Sequence, residues 1–143
     1  MTDTTPDKNA TEEQLDLGLK IVGAFVATGL GFVAGLITAF YAPLRVPGST
    51  AYLPVSLVLA LGGNPLLSWF AYSTTGHRLA ALLPALPWCA VWFVAASRTT
   101  EGDLIITGDN WVGLVTLLAG PIAFAVGVLV PARRALRAAP PAG

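Results

Sequence analysis

The sequence has little charge, and that charge is unevenly distributed. Only 11% of the 143 residues are Asp, Glu, Lys or Arg, whereas a soluble domain carries about 25%. None of these residues occurs in four windows: 21–44, 46–76, 79–97 and 110–132. About 20 apolar residues are enough to cross the hydrocarbon core of a membrane as a helix. A soluble four-helix bundle would need a polar face on each helix, which these windows lack, so the pattern predicts an integral membrane protein.

Cysteine is almost absent, and the acidic and basic residues balance. The single cysteine, Cys89, excludes an internal disulfide and a multi-cysteine metal site. Eight basic and eight acidic residues give no net charge, so nothing in the balance argues for a nucleic-acid partner. No pattern of nucleophile, base and acid is present either. We therefore predict a protein that is not an enzyme and has no metal or cofactor.

The uncharged windows predict an all-α fold with four transmembrane helices in an up-down bundle. The predicted helices cover about 21–42, 51–73, 79–97 and 110–131, inside a transmembrane domain of 20–131. A polar tail (1–19) precedes this domain, and a basic, then Pro/Ala-rich tail (132–143) follows it. The sequence Thr11-Glu12-Glu13-Gln14 resembles a capping box, which predicts that the first helix begins in water near residue 12. Asp109 or Asn110 is expected to cap the fourth helix.

The basic residues near the helix ends predict the orientation in the membrane. With the amino terminus inside, the inner side carries six: Lys8, Lys20, Arg78, Arg133, Arg134 and Arg137. The outer side then carries only Arg45 and Arg98. Because positive residues concentrate on the cytoplasmic side, this distribution predicts a multi-pass protein of the inner (plasma) membrane with both termini in the cytoplasm.

Two helices carry small residues at four-residue spacing. The set comprises Gly23, Ala27, Gly31, Gly35 and Ala39 in the first helix, and Ala119, Ala123 and Gly127 in the fourth. Small side chains on one face let a second helix approach closely in a membrane. Two interpretations follow: the stripes pack the first helix against the fourth, or they bind a partner protein or a second copy. Trp88 and Trp92, one turn apart, are expected to lie opposite the first stripe.

Prolines stand inside three of the predicted helices: Pro65 in the second, Pro84 and Pro87 in the third, and Pro121 in the fourth. A proline removes one backbone hydrogen bond and frees a carbonyl group. The stretch Gly62-Gly63-Asn64-Pro65 is interpreted as a kink near the middle of the membrane. Asn64 is expected to face the carbonyl groups freed by Pro84 and Pro87. The alternative is that Asn64 contributes one polar contact to a ligand or ion site.

The predicted loops supply a second group of candidate residues. Arg45, His77, Arg78, Glu101 and Asp103 are candidates for contacts with lipid headgroups or within loops. A single histidine cannot form a zinc site, so His77 and Arg78 are interpreted as an interfacial anchor. The acidic loop lacks the spacing of a calcium-binding loop and is interpreted as solvated.

Several loop motifs resemble a known family. "YAPLRV" at 41–46, "GN" at 63–64, "TGHRLAALLPALPW" at 75–88 and "SRTTEGDL" at 97–104 resemble a family of small actinobacterial four-helix membrane proteins without an assigned activity. The resemblance covers about residues 20–130. It implies an inner-membrane protein with four helices and no catalytic residues.

Two functions are therefore expected from the sequence. The first is a non-enzymatic accessory, assembly or interaction subunit in the lipid bilayer, which packs through its small-residue faces against a membrane protein partner or a second copy. The alternative is a small homo-oligomeric transporter or channel built around a broken second helix at Asn64. The absence of intramembrane carboxylates and basic residues counts against a proton-coupled carrier.

Overall fold

A computed structural model describes residues 8–97 and 106–138, with side chains placed for 12–97 and 106–129. The elements are α1 (Lys8–Tyr41), α2 (Val55–Thr75), α3 (Ala85–Ala96) and α4 (Trp111–Ala138), and a 3₁₀ turn (Ala80–Leu82) precedes α3. Throughout the described residues the regular structure is helical. The predicted all-α fold is confirmed.

Three of the four helices are long and apolar enough to cross a membrane. These stretches are Glu12–Tyr41, Val55–Thr75 and Trp111–Leu129. The third apolar segment differs from the single helix expected over 79–97, because the chain forms the 3₁₀ turn first and α3 has only 12 residues. Pro84 is the N-cap of α3, and Pro87 lies in its first turn. Proline is tolerated there because its missing N–H would have no acceptor within the helix.

The other helix boundaries also differ from the sequence expectation. α1 begins at Lys8 and not near residue 12, and α4 continues through Pro131 to Ala138. α2 begins at Val55 because Pro54 is its N-cap and the preceding loop forms a short antiparallel bridge between Arg45 and Tyr52. α2 runs as one helix through Pro65, so Gly62-Gly63-Asn64-Pro65 does not divide it, and the kink at this stretch stays a prediction.

The helices form two parallel pairs, α1 with α3 and α2 with α4, and the contact between α1 and α2 joins the two pairs. α2 packs along both α1 and α4, and α3 packs mainly along α1. Contacts between α2 and α4 advance together along the two chains: Ser56 meets Thr116, Asn64 meets Gly120 and Ser68 meets Phe124. The centre of the bundle is filled by Trp88, Trp92 and Phe124, with both tryptophans fully buried. Their rings stack with centroids 5.2 Å apart.

The small-residue stripes face the interior, but they do not pack against each other. On α1, a methyl group at Gly31 would lie 2.6 Å from the Cα atom of Pro84, and one at Gly35 would lie 3.1 Å from the Cα atom of Trp88. On α4, a methyl group at Gly127 would lie 2.7 Å from the carbonyl oxygen of Pro65. The predicted packing of the first helix against the fourth through these stripes is therefore wrong. The α1 stripe meets α2 at Gly23 and the α3 segment at Gly31 and Gly35, whereas the α4 stripe meets α2 at Gly127.

Candidate functional site

A row of small and polar side chains on α2 faces α4, and we call it the polar seam. It consists of Ser56, Ala60, Asn64 and Ser68, spaced one turn apart and all buried. The Ser56 hydroxyl lies 3.4 Å from the Thr116 hydroxyl, and the Ser68 hydroxyl donates to the carbonyl oxygen of Phe124 at 3.0 Å. The seam thus pairs its hydroxyl groups within the chain, where the surroundings supply no water.

Asn64 lies in the middle of the polar seam. Its side-chain amide donates to the carbonyl oxygen of Gly120 at 3.2 Å, and the residue is 1% exposed. The prediction that Asn64 faces carbonyl groups in the third apolar segment is therefore wrong. In that segment the carbonyl oxygens of Ala80 and Leu83 already accept backbone hydrogen bonds, from the N–H groups of Leu83 at 3.0 Å and Leu86 at 3.3 Å, so they are not free. The packing of α2 along α4 brings Asn64 to the carbonyl oxygen of Gly120 instead.

Trp88 reaches the same glycine from the opposite helix pair. A methyl group at Gly120 would lie 2.6 Å from the Cζ2 atom of Trp88, so the indole ring occupies the space of the missing side chain. Trp88 also packs edge-on against Phe124, with ring centroids 5.9 Å apart. Among the described residues, the Asn64 Oδ1 atom and the Trp88 Nε1 atom have no hydrogen-bond partner. This centre is closely packed and does not form a path through the bundle.

Trp92 differs from Trp88 in its hydrogen bonding. The Trp92 indole N–H donates to the Thr38 hydroxyl at 2.9 Å, and the Thr38 hydroxyl donates to the carbonyl oxygen of Ala34 at 2.7 Å. Both tryptophans do lie opposite the α1 stripe, as the one-turn spacing predicts. This single side-chain bond joins α1 and α3 inside the apolar core.

The loop end of the bundle carries a polar cluster formed by Arg45, Tyr52 and Asp109. The Arg45 guanidinium donates to the Tyr52 hydroxyl and lies 4.5 Å from the centroid of the Tyr52 ring. The Tyr52 hydroxyl donates to Asp109 at 3.0 Å, and Arg45 lies 3.4 Å from the same carboxylate oxygen. Hydrogen bonds from the Thr107 and Tyr52 hydroxyls hold the pKa of the Asp109 carboxyl below its ordinary value. The cluster joins the α1–α2 loop to the start of α4.

Asn110 fastens the same end from inside. Its side-chain oxygen accepts from the backbone N–H of Gly113 at 2.9 Å, so Asn110, not Asp109, is the N-cap of α4. Its side-chain NH₂ donates to the carbonyl oxygen of Ala42 at 3.0 Å, just beyond the end of α1. One buried side chain thus satisfies an unpaired donor of one helix and an unpaired acceptor of another.

The remaining predicted residues are spread over the two ends of the chain. His77 and Arg78 are exposed and follow Gly76, the left-handed residue (φ 69°) that ends α2. The structure places them away from Arg45, which belongs to the polar cluster. Glu101 and Asp103 lie outside the described residues. No cofactor or metal is assigned to any of these positions.

Ser56, Ser68 and Tyr52 are not among the residues predicted to interact, and Asn110 is predicted only as a possible N-cap of α4, not as a partner of Ala42. A signal for the first two was present, since Ser56, Ala60, Asn64 and Ser68 repeat every four residues, as the stripe on α1 does. The contacts of Tyr52 and Asn110 join residues more than 50 positions apart, and no local pattern indicates such partners.

Comparison with known proteins adds no relative to this description. No protein-family model, no curated protein and no solved structure matches the chain. The resemblance to the actinobacterial membrane family therefore stays a prediction, and the functional argument depends on the chain's own geometry.

Proposed function

We propose that the chain is an integral protein of the cytoplasmic membrane, with both termini in the cytoplasm, and that it acts as a non-enzymatic interaction subunit. Three helices of sufficient length and hydropathy support the membrane location. Large apolar side chains such as Phe25, Phe40, Phe93 and Leu118 are at least 70% exposed, which suits a surface in contact with lipid. The excess of basic residues at the inner ends of the predicted helices supports the orientation.

The observation that carries the proposal is the length of α1. Its last 21 residues, 21–41, span about 31 Å, which matches the hydrocarbon core of roughly 30 Å. The 13 residues before them, 8–20, extend about 20 Å further, past the headgroups and into the cytoplasm. This extension carries apolar side chains into water: Leu15 is 63% exposed and Leu19 is 71% exposed.

Leu15 and Leu19 on the extension belong to an exposed apolar stripe that continues along α1 into the membrane, whereas Leu17 is exposed on the other side of the helix. It consists of Leu15, Leu19, Val22 and Val26, each at least 46% exposed, and we call it the leucine stripe. The spacing of four, three and four residues is that of a seam between two helices. Asp16 and Lys20 form a salt bridge of 2.6 Å beside the stripe. Covering a leucine side chain yields about 1.5–3 kcal/mol, so a partner helix or a second copy would be stabilised on this stripe.

The interaction surface proposed here replaces the small-residue faces expected from the sequence. Gly31, Ala27 and Ala123 are buried by other helices of the same chain, so a partner cannot reach them. The transporter alternative has less support than an interaction role, because α2 runs unbroken through Pro65 and the Asn64 amide is bonded to Gly120.

The experiment compares two sets of serine substitutions in the extension. Leu15→Ser/Leu19→Ser removes the cytoplasmic part of the leucine stripe, whereas Leu17→Ser changes a leucine that is 59% exposed but lies roughly 200° around the helix from Leu15. After mild solubilisation, wild type and Leu17→Ser should migrate on a native gel as a complex with a partner or a second copy. The double variant should migrate as the single chain. Equal migration of the wild type and both variants would contradict the proposal.

A further inference from the structure

The outer surface between α1 and α3 carries a continuous apolar groove. Two adjoining cavities of about 230 and 330 Å³ share Leu36, Val91 and Val94 as lining residues. A third, of about 310 Å³, adjoins the first at Leu36 and Phe40 and is lined by α1 alone, as far as Tyr41. We call these three cavities the α1–α3 groove. All of its lining residues are apolar apart from the hydroxyl of Tyr41.

The groove exists because the α1–α3 contact is close at one end and lined by small residues at the other. Gly31 and Gly35 bring the backbone of α1 against Pro84 and Trp88. Further along, Ala39 and Ala95 face each other as the buried floor, and their methyl groups do not fill the space between the helices. α2 packs on another side of α1, so neither it nor α4 covers this outward face.

The length of the groove matches half the thickness of the hydrocarbon core of a bilayer. Along α1 it extends from Phe32 to Tyr41, which is about 13.5 Å at about 1.5 Å per residue. Half of the hydrocarbon core is about 15 Å. The groove ends at Tyr41, four residues before Arg45 of the polar cluster. A tyrosine and a polar cluster at one end place that end at the level of the lipid headgroups.

We propose that the α1–α3 groove binds one acyl chain of a phospholipid from the outer leaflet, with the headgroup beside Tyr41 and the polar cluster. The proposal rests on the membrane placement under Proposed function, but not on the leucine stripe. A narrow groove of a few hundred Å³ accommodates an unbranched hydrocarbon chain.

The test uses the full-length chain in phosphatidylcholine and phosphatidylglycerol vesicles that contain a trace of phosphatidylcholine with a photoactivatable acyl chain. After illumination, mass spectrometry locates the labelled residues. Labelling at Val91 and Val94 should exceed labelling at Leu118 and Ile122 several-fold. The latter two lie on α4, are 70% and 64% exposed, and line none of the groove cavities.

Substitutions that fill the groove provide the second arm. Ala95→Leu places a larger side chain at the buried base of the groove. Ala90→Phe fills the groove from an exposed position, where the larger side chain does not disturb the core. Both variants should lower labelling in the groove to the level of α4, whereas Leu118→Phe should leave it unchanged. Even labelling of α3 and α4 in the wild type would overturn the acyl-chain site.

Two other outcomes would also overturn the proposal and identify the cause. Lipid labelling at Val91 and Val94 that is lower than labelling on α4 would show that protein, such as a second copy, covers the groove. Absence of lipid labelling on α4 as well as α3 would contradict the membrane placement itself, and the acyl-chain site with it. Both outcomes are independent of the native-gel experiment on the leucine stripe, so the two proposals can fail separately.

Discussion

The α2–α4 pair and the α1–α3 pair bury their contacts in different ways. Both pairs are parallel, and in both a glycine lets a proline of the neighbouring helix approach: Gly127 meets Pro65, and Gly31 meets Pro84. Between α2 and α4, however, the side chains of Ser56, Asn64 and Ser68 each form a hydrogen bond across the interface. Between α1 and α3 there is one such bond, from Trp92 to Thr38.

This difference explains where the surface is open. Lipid supplies no hydrophobic force between helices, so close packing and hydrogen bonds must hold each pair together. The α2–α4 pair uses both over the stretch from Ser56 to Ser68, and it lines none of the three cavities of the α1–α3 groove. The α1–α3 pair depends on backbone contact at Gly31 and Gly35, and beyond these glycines the two helices leave the α1–α3 groove between them.

The largest effect is expected at the closest backbone contact of the α1–α3 pair. In Gly31→Ala the new methyl group would overlap the carbonyl oxygen of Pro84 and lie 2.6 Å from its Cα atom. Backbone atoms cannot rotate away, so we expect a loss of about 3 kcal/mol in the free energy of unfolding, at the upper end for overpacking. Reversible unfolding in mixed detergent micelles measures this loss.

A control for this substitution lies half a turn away on the same helix. Gly29 has no atom within 4 Å of its absent methyl group, so Gly29→Ala should keep or raise stability by up to about 1 kcal/mol through helix propensity. Equal destabilisation by the two alanine variants would show that the Gly31 contact is not the one that holds α3.

The next largest loss in the free energy of unfolding is expected when the polar side chains of the polar seam are replaced. The triple variant Ser56→Ala/Asn64→Leu/Ser68→Ala removes three side-chain hydrogen bonds between α2 and α4. Such bonds contribute roughly 0.6 kcal/mol each in a membrane, so the sum is about 2 kcal/mol. The same unfolding experiment measures it. Ser73→Ala, on an exposed side chain that bonds only within α2, is the control and should change little.

The two core tryptophans provide a smaller and more specific comparison. Trp92→Phe loses ring volume and the hydrogen bond to Thr38, whereas Trp88→Phe loses ring volume and an indole N–H without a described partner. We therefore expect Trp92→Phe to cost about 1 kcal/mol more than Trp88→Phe in unfolding free energy. If Trp88→Phe were the more costly substitution, the Trp92–Thr38 bond could not be the polar link between α1 and α3.

The smallest effect is expected at the polar cluster, as a dependence on pH. Because the pKa of the Asp109 carboxyl is lowered in the folded chain, its contribution to stability is complete above its ordinary pKa. That contribution is lost as the pH falls through the lowered value, below about 4. The thermal midpoint of the wild type should therefore fall more steeply over this range than that of Asp109→Asn. Parallel curves would contradict the hydrogen bonds to Thr107 and Tyr52.

The helices could be predicted from the sequence because the four apolar segments contain long windows without charged residues. α2, expected at about 51–73, lies at Val55–Thr75, and Asn110 caps α4 at one of the two positions expected. Local chemistry decides the start of α4, since a short polar side chain before an apolar window is a favourable N-cap. The same reasoning placed Pro84 inside a helix, although that proline begins one.

The neighbours of each face could not be predicted. A small residue every four positions lets any helix approach, so the α1 stripe favours α3 and α4 equally until the fold brings Pro84 to Gly31. For the same reason, Asn64 was expected to face the third apolar segment, whereas Gly120 supplies its acceptor. The sequence did indicate that Asn64 is buried against protein. Its hydrogen-bond partner, however, depends on which helix lies beside α2 in the fold.

Position-specific crosslinking in native membranes tests the proposed role most directly. A photoreactive amino acid at Leu19, on the leucine stripe, should yield a protein–protein adduct of defined mass, either with a partner or with a second copy. The same group at Leu17, on the other side of α1, or at Leu118, on α4, should not yield that adduct. An interaction subunit that binds through the leucine stripe predicts this difference. Identical adduct patterns at the three positions, or none at Leu19, would contradict it.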